Sequence, residues 1–162
     1  MFREKADAAV QKELNQIHLM DTYEPVHKSD LKFDDTKKAL ASLMFITEIR
    51  NGDIKARKIA DSSKQRTYDG YDKSDGSSPT VATDSIFLTG VIDPYELRAI
   101  AILDIANAFL HAENDEKILM LLRGRLAEMM VQVDPAVYCE YVTYSPNGQA
   151  MLYVRLSKAL CR

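Results

Sequence analysis

Apolar residues change their spacing several times along this chain, and each change marks a new element. In residues 6–20, Val10, Leu14 and Ile17 recur at helical spacing among charged and polar neighbours. This predicts an amphipathic helix ending near Asp21 and Pro25. A second helical pattern follows Asp34, with Leu40, Leu43 and Met44 on one face. The runs "LMFITEIR" (43–50) and "DIKARKIA" (53–60) then suit strands, and Asn51-Gly52 between them predicts a hairpin around a two-residue turn.

Residues 62–78 are polar and rich in Gly, Ser and Asp, which predicts an exposed loop with too few apolar side chains to build a core. Pro79 suits the first turn of a helix running through "VATDSIFLTGVID". The nearly continuous apolar run "RAIAILDIANAFL" (98–110) predicts a buried central strand entering a short helix. Beyond it, "KILMLL" suits a strand, "RLAEMMVQV" and "PAVYCEY" suit helices, and "YVTYSPNGQAMLYVRL" suits a hairpin around Pro146-Asn147-Gly148. There is no internal repeat and no clear domain boundary. Short helices interleaved with hairpins predict an α+β fold in a single domain spanning 1–162.

Composition narrows the partners. At 162 residues, 46% hydrophobic and 28% charged, the chain is large enough to bury one core. A net charge of only −3 advertises no global polyanion binder, so any nucleic-acid surface must be local. One local asymmetry exists: residues 50–66 hold Arg50, Lys55, Arg57, Lys58, Lys64 and Arg66 against Asp53 and Asp61, and residues 67–100 reverse the balance. By itself such a run is more often a solvated face than a phosphate-handling cleft. Cys139 and Cys161 lack metal-ligand spacing, His18, His27 and His111 are scattered, and Glu113, Asp115 and Glu116 suit a solvated loop. No apolar run approaches a membrane span and the first residues lack the apolar core of a signal peptide, so the expected location is intracellular and cytoplasmic.

Asp104 is the residue with most to explain, because "AIAILDIANAFL" sets one carboxylate among apolar neighbours. A buried carboxylate must be protonated, hydrogen-bonded or neutralised by a cation. Two readings stand: Asp104 caps a helix beginning at Ile105, or it projects from a strand end as a metal ligand. Lys55 and Arg57, two apart on the second hairpin strand, leave the same face as a pair of cations.

The segments "AVQKELNQIHLMDTYEP", "GDIKARKIADSSKQR", "SSPTVATDSIFLTGVID", "AIAILDIANAFLHAENDE" and "LYVRLSKAL" resemble, in order and spacing, the start of copia-like retrotransposon reverse transcriptases. The resemblance covers most of the chain and rests on collinear order more than on any one motif. It implies reverse-transcriptase fingers and a partial palm: a β-hairpin in the fingers, and antiparallel palm strands packed with helices. It also implies an RNA-directed DNA polymerase that moves a nucleotide from a dNTP to a primer 3′-hydroxyl with two Mg²⁺ ions about 3.5–4 Å apart. Asp104 then matches one of three catalytic carboxylates and a metal ligand, and the main-chain carbonyl of Ile105 adds a second metal contact.

On the same resemblance, Phe109 matches the aromatic gate under the sugar of the incoming nucleotide; without it, an ordinary core aromatic is an equal reading. Backbone N–H groups around Asn107 and Ala108 would cradle the triphosphate, and Lys55 and Arg57 would contact it. Lys64, Gln65 and Arg66 match a further fingers element, with solvated surface an equal alternative. The implied partners are a template-primer, dNTP and the remainder of a Pol polyprotein, with a virus-like particle as an alternative location. Two departures stand out. Ser62 replaces the family's usual glycine, and Lys158-Ala159-Leu160 leads into Cys161-Arg162 without reaching the Tyr-x-Asp-Asp element that carries the other two carboxylates. The expectation is that these 162 residues alone extend no primer. The competing reading is a non-catalytic remnant or an α+β interaction module.

Overall fold

The computed structural model describes residues 2–61, 63, 81–101, 103, 105 and 108–160. The chain divides into two compact units, Met1–Thr67 with Asn107–Arg162, and Tyr68–Ala106. The first is an α+β unit whose sheet has six strands: β1 (Tyr23–Val26), β2 (Leu40–Glu48), β3 (Ile54–Asp61), β4 (Leu119–Arg123), β5 (Thr143–Tyr144) and β6 (Ala150–Leu156). The order is β1-β6-β4-β2-β3, with β5 pairing β6; all pairings are antiparallel except the short parallel contact of β2 with β4.

Helix α1 (Phe2–Leu19) covers one face of this sheet. Its buried residues, Ala6, Val10, Leu14 and Ile17, are spaced four, four and three apart, so they form one stripe. Helix α4 (Arg125–Val133) adds Ala127, Met129 and Met130 to the same core, and the sheet contributes Leu40, Met120, Leu122, Leu152 and Val154. In β4, Leu119 to Leu122 are all buried, as expected for a strand with a neighbour on each side. The short α2 (Phe33–Lys38) is tied to the entrance of β4 by Lys117 Nζ, 3.2 Å from Asp35 Oδ2. That hydrogen bond holds the Asp35 carboxyl below its ordinary range.

Asp134 closes α4 and caps α5 (Pro135–Tyr138), accepting hydrogen bonds from the N–H groups of Ala136 (3.0 Å) and Val137 (3.3 Å). Its other oxygen lies 3.5 Å from His18 Nε2, at the end of α1. Replacing Asp134 by Ala removes both links and should cost about 1 kcal/mol in denaturant unfolding, whereas Asp134→Asn keeps the cap and most of that stability. Equal losses in the two variants would show the His18 contact, not the cap, to matter.

Several expected elements are found in place: α1, the first hairpin, the strand within "KILMLL", α4, α5 with the helical turn Cys139–Tyr141, and the second hairpin. Both hairpins turn the same way. Ile49 N–H donates to Asp53 O and Gly52 N–H to Ile49 O, and Ser145 N–H to Gln149 O and Gly148 N–H to Ser145 O repeat the pattern. Each turn thus spans a three-residue loop ending in a left-handed glycine, Gly52 at φ +80° and Gly148 at φ +74°. The first was expected to have two residues; Arg50 joins Asn51 and Gly52, and Asn51 Oδ1 accepts from Asp53 N–H to fix it.

Two expectations fail. The helical pattern expected to carry Leu40, Leu43 and Met44 stops at Lys38, and Leu40 opens a strand. Leu40 and Met44 lie four apart, a spacing that satisfies both periods, but Leu43 is 41% exposed, as strand alternation requires. The run 98–110 forms no strand among its described residues, and Ile100, Leu103 and Ile105 are exposed. A strand needs a hydrogen-bonded neighbour, and these residues pair with none. Ile105 itself lies in neither helix nor strand, and Asp104, expected to cap a helix there, lies outside the described residues. The expected helix through "VATDSIFLTGVID" is found as α3 (Thr83–Tyr95), in the second unit; Pro79, expected in its first turn, lies outside the described residues, as do residue 62 and residues 64–78 of the expected loop. No buried residue occurs on α3, whose Ile86, Phe87, Leu88 and Val91 are exposed. No described helix is long and apolar enough to cross a membrane.

Candidate nucleotide-contacting hairpin

The β2–β3 hairpin sorts its side chains by strand alternation. On β3, Ala56, Lys58 and Ala60 turn toward α1 and are buried, while Lys55 and Arg57 turn the other way and are exposed. The antiparallel register sets Thr47 opposite Lys55, Phe45 opposite Arg57 and Leu43 opposite Ile59, all on that open face. Directly opposed residues have Cβ atoms about 4.5–5.5 Å apart, so Phe45, whose side chain is exposed, leaves the same face directly across from Arg57. The open face therefore presents two cations, a phenyl ring and the aliphatic side chains of Leu43 and Ile59 on one two-stranded support. Such a surface can bind an anion at the cations and a flat apolar group at the ring.

The covered face holds an ionisable group that the sequence pattern placed among surface cations. Lys58 is 2% exposed. Its Nζ donates to Ser42 Oγ on β2, and its backbone N–H donates to Glu13 Oε1 on α1 at 3.0 Å. Burial pushes its ammonium from 10.5 down to about 7, with the nearby Glu13 charge acting in the opposite direction. The signal was available in the alternation Ala56-Lys58-Ala60, since a residue two from each of two small inward residues must share their face. Phe45 was likewise missed, although its register to Arg57 follows from the hairpin turn.

Of the other expected site residues, Asp104 and Asn107 lie outside the described residues. Ile105 belongs to the Tyr68–Ala106 unit and is 66% exposed. Ala108, which is exposed, and the backbone of Phe109 fall in a short helical turn, Ala108–His111, in the first unit. Thus Lys55 and Arg57 share one face, and Ala108 and Phe109 are consecutive in one turn. Lys64, Gln65 and Arg66 also lie outside the described residues.

The histidines take separate roles: His18 Nδ1 is 3.1 Å from the Tyr138 hydroxyl, and His27 stacks on Tyr141 with centroids 4.2 Å apart. Glu113, Asp115 and Glu116 are exposed, with Glu113 3.4 Å from Lys158 Nζ. Among the described residues no group of three or more His, Cys, Asp or Glu side chains is placed to hold a metal ion. Compared with protein-family models, with curated proteins and with solved structures, the chain matches none.

Proposed function

We propose that this chain forms the fingers and the beginning of the palm of a copia-like reverse transcriptase, an RNA-directed DNA polymerase. The observation that carries the reading is the shared exposure of Lys55 and Arg57 on the open face of an Asn-Gly hairpin whose other face is sealed by α1. Arg57 suits a phosphate because its planar fork donates two parallel hydrogen bonds; Lys55 adds a compact point charge. Together they would grip the triphosphate of an incoming nucleotide. Asn107 and Ala108 would add backbone donors, and Phe109 would pack against the sugar.

In this reading Asp104, with the Ile105 carbonyl, supplies hard oxygen ligands for Mg²⁺. Bound Mg²⁺ would polarise the phosphate and stabilise charge on the attacking and leaving oxygens. The chain contains no Tyr-x-Asp-Asp, so the other carboxylates of such a site are not among its residues. Its partners would be template-primer, dNTP and other parts of a Pol polyprotein, in the cytoplasm or a virus-like particle.

A second reading draws on the exposure of Ile100, Leu103 and Ile105: a non-catalytic α+β interaction module that uses this apolar run as a contact surface. Binding separates the two. With a fluorescent dNTP analogue titrated in the presence of primer-template at several salt concentrations, Arg57→Ala should weaken binding by about 1.5–3 kcal/mol, roughly tenfold to a hundredfold. Arg57→Lys should recover only part of this. The salt slope should also fall by about one for each cation removed. Unchanged affinity and slope in a Lys55→Ala, Arg57→Ala variant would remove the polymerase reading and leave the interaction module.

A further inference from the structure

The β2–β3 hairpin is joined to the rest of the sheet at its base only. Strand β2 pairs with β4 through Leu40–Met120 and Ala41–Leu121, whereas β2 and β3 pair along eight positions from Ala41–Asp61 to Glu48–Ile54. Among the described strands β3 is the outermost. The hairpin is thus a lever hinged near Leu40 and Ala41, and what holds it down is α1, packed on the face that carries Ala56, Lys58 and Ala60.

At the middle of this contact sits the Lys58 amine. Among the described residues no carboxylate lies within ion-pairing distance of its Nζ, whose bonded partner is the Ser42 hydroxyl of β2. Among the described residues the charged group that faces it is Glu13 of α1, which already accepts the Lys58 backbone N–H. Tyr23 of β1 senses the same Glu13 charge, and its buried hydroxyl has no hydrogen-bond partner among the described residues. An ammonium has three donors to satisfy and one hydroxyl to receive them. A charge buried with so little compensation favours any motion that lets water in, and a lever with one short hinge is where such motion costs least.

We propose that Lys58 is a pH-operated latch between α1 and the β2–β3 hairpin: uncharged, its amine lets the helix close on the strand pair; protonated, it drives local opening of that interface. The latch does not depend on what the open face of the hairpin binds. The sign follows from the buried amine, whose affinity for protons is lower in the folded chain than in the unfolded one. Closure is therefore favoured as pH rises from about 7 toward about 10.5 and is weakened below that window.

Amide hydrogen exchange on the whole chain at about pH 6 and about pH 9, corrected for the intrinsic rate, tests it. The expected result is that amides of β3 and of the middle of α1 lose at least about tenfold of their protection at the lower pH while those of β4 and β6 do not. In Lys58→Met, which keeps the stem and removes the charge, that loss should vanish. Glu13→Gln should widen it, because the carboxylate that partly offsets the charge is gone. The proposal is overturned if Lys58→Met shows the same acid loss as the unaltered chain, or if the loss spreads evenly over β4 and β6. It is also overturned if the Lys58 side-chain ¹⁵N resonance of the unaltered chain titrates at the ordinary lysine value near 10.5.

Discussion

Truncating Leu14 to alanine should cost about 2–5 kcal/mol of folding stability, read as a lowered urea midpoint by circular dichroism. Leu14 is wholly buried at the centre of the α1 stripe, between Val10 and Ile17, where α1 meets β3 and α4. Both the lost transfer energy and the cavity left behind act against the fold, because helix and sheet cannot collapse together without disturbing residues on either side. Domains of this size are stable by only about 5–15 kcal/mol, so one methyl-rich side chain carries a large share. Asn15, the next residue along, is exposed, and Asn15→Ala should change the midpoint by less than about 0.5 kcal/mol. A Leu14→Ala loss below about 1 kcal/mol would mean that α1 is not the cover of this sheet.

The same helix shows which parts of the fold could be seen in the sequence. Val10, Leu14 and Ile17 can share a face only if the chain is helical, and Asn51-Gly52 and Pro146-Asn147-Gly148 supply the left-handed residue that a tight hairpin needs. Local chemistry decides such elements. Strand β1 was invisible because it is four residues long, contains Pro25 and acquires its strand character from pairing with β6, more than a hundred positions later. Pro25 is tolerated there because β1 lies at an edge. Leu40 and Met44 misled for a different reason: helix and strand periods coincide at four residues, and only the exposed Leu43 between them breaks the tie.

The candidate site was legible to the extent that it lies within one strand. Lys55 and Arg57 had to share a face once β3 was a strand, and they do. The burial of Lys58 followed from the same alternation, yet a count of charges along 50–66 hid it among its exposed neighbours. Composition treats six cations as equivalent; alternation divides them. The described residues of 98–110 form no strand, because apolar content shows only that a segment gains from burial, without showing what will bury it. Burial of Leu119 to Leu122, by contrast, is secured by β2 on one side and β6 on the other.

Tyr138 should show the second large effect, and its two truncations separate packing from polarity. The ring is 1% exposed and meets the His18 ring edge-on, with centroids 5.6 Å apart and planes at 68°, while its hydroxyl lies 3.1 Å from His18 Nδ1. Tyr138→Ala empties a ring-sized volume where α1 meets α5 and should cost about 3–5 kcal/mol. Tyr138→Phe keeps the ring and loses one hydrogen bond, for about 0.5–1.5 kcal/mol, since the partly exposed His18 can turn to water. Their pH profiles should differ as well. Burial first, and then the charges of Asp134 and Asp21, push the Tyr138 phenol up to about 12 from its ordinary 10. A group with a raised folded-state value contributes stability in full below the unfolded value, so this contribution is intact up to about pH 10 and is lost as pH rises through about 12. Tyr23, buried and raised in the same direction, adds to the loss. Alkaline unfolding monitored by tyrosinate absorbance should therefore be shallower in Tyr138→Phe than in the unaltered chain. Parallel curves would show that the Tyr138 hydroxyl ionises as freely in the folded protein as in the unfolded one.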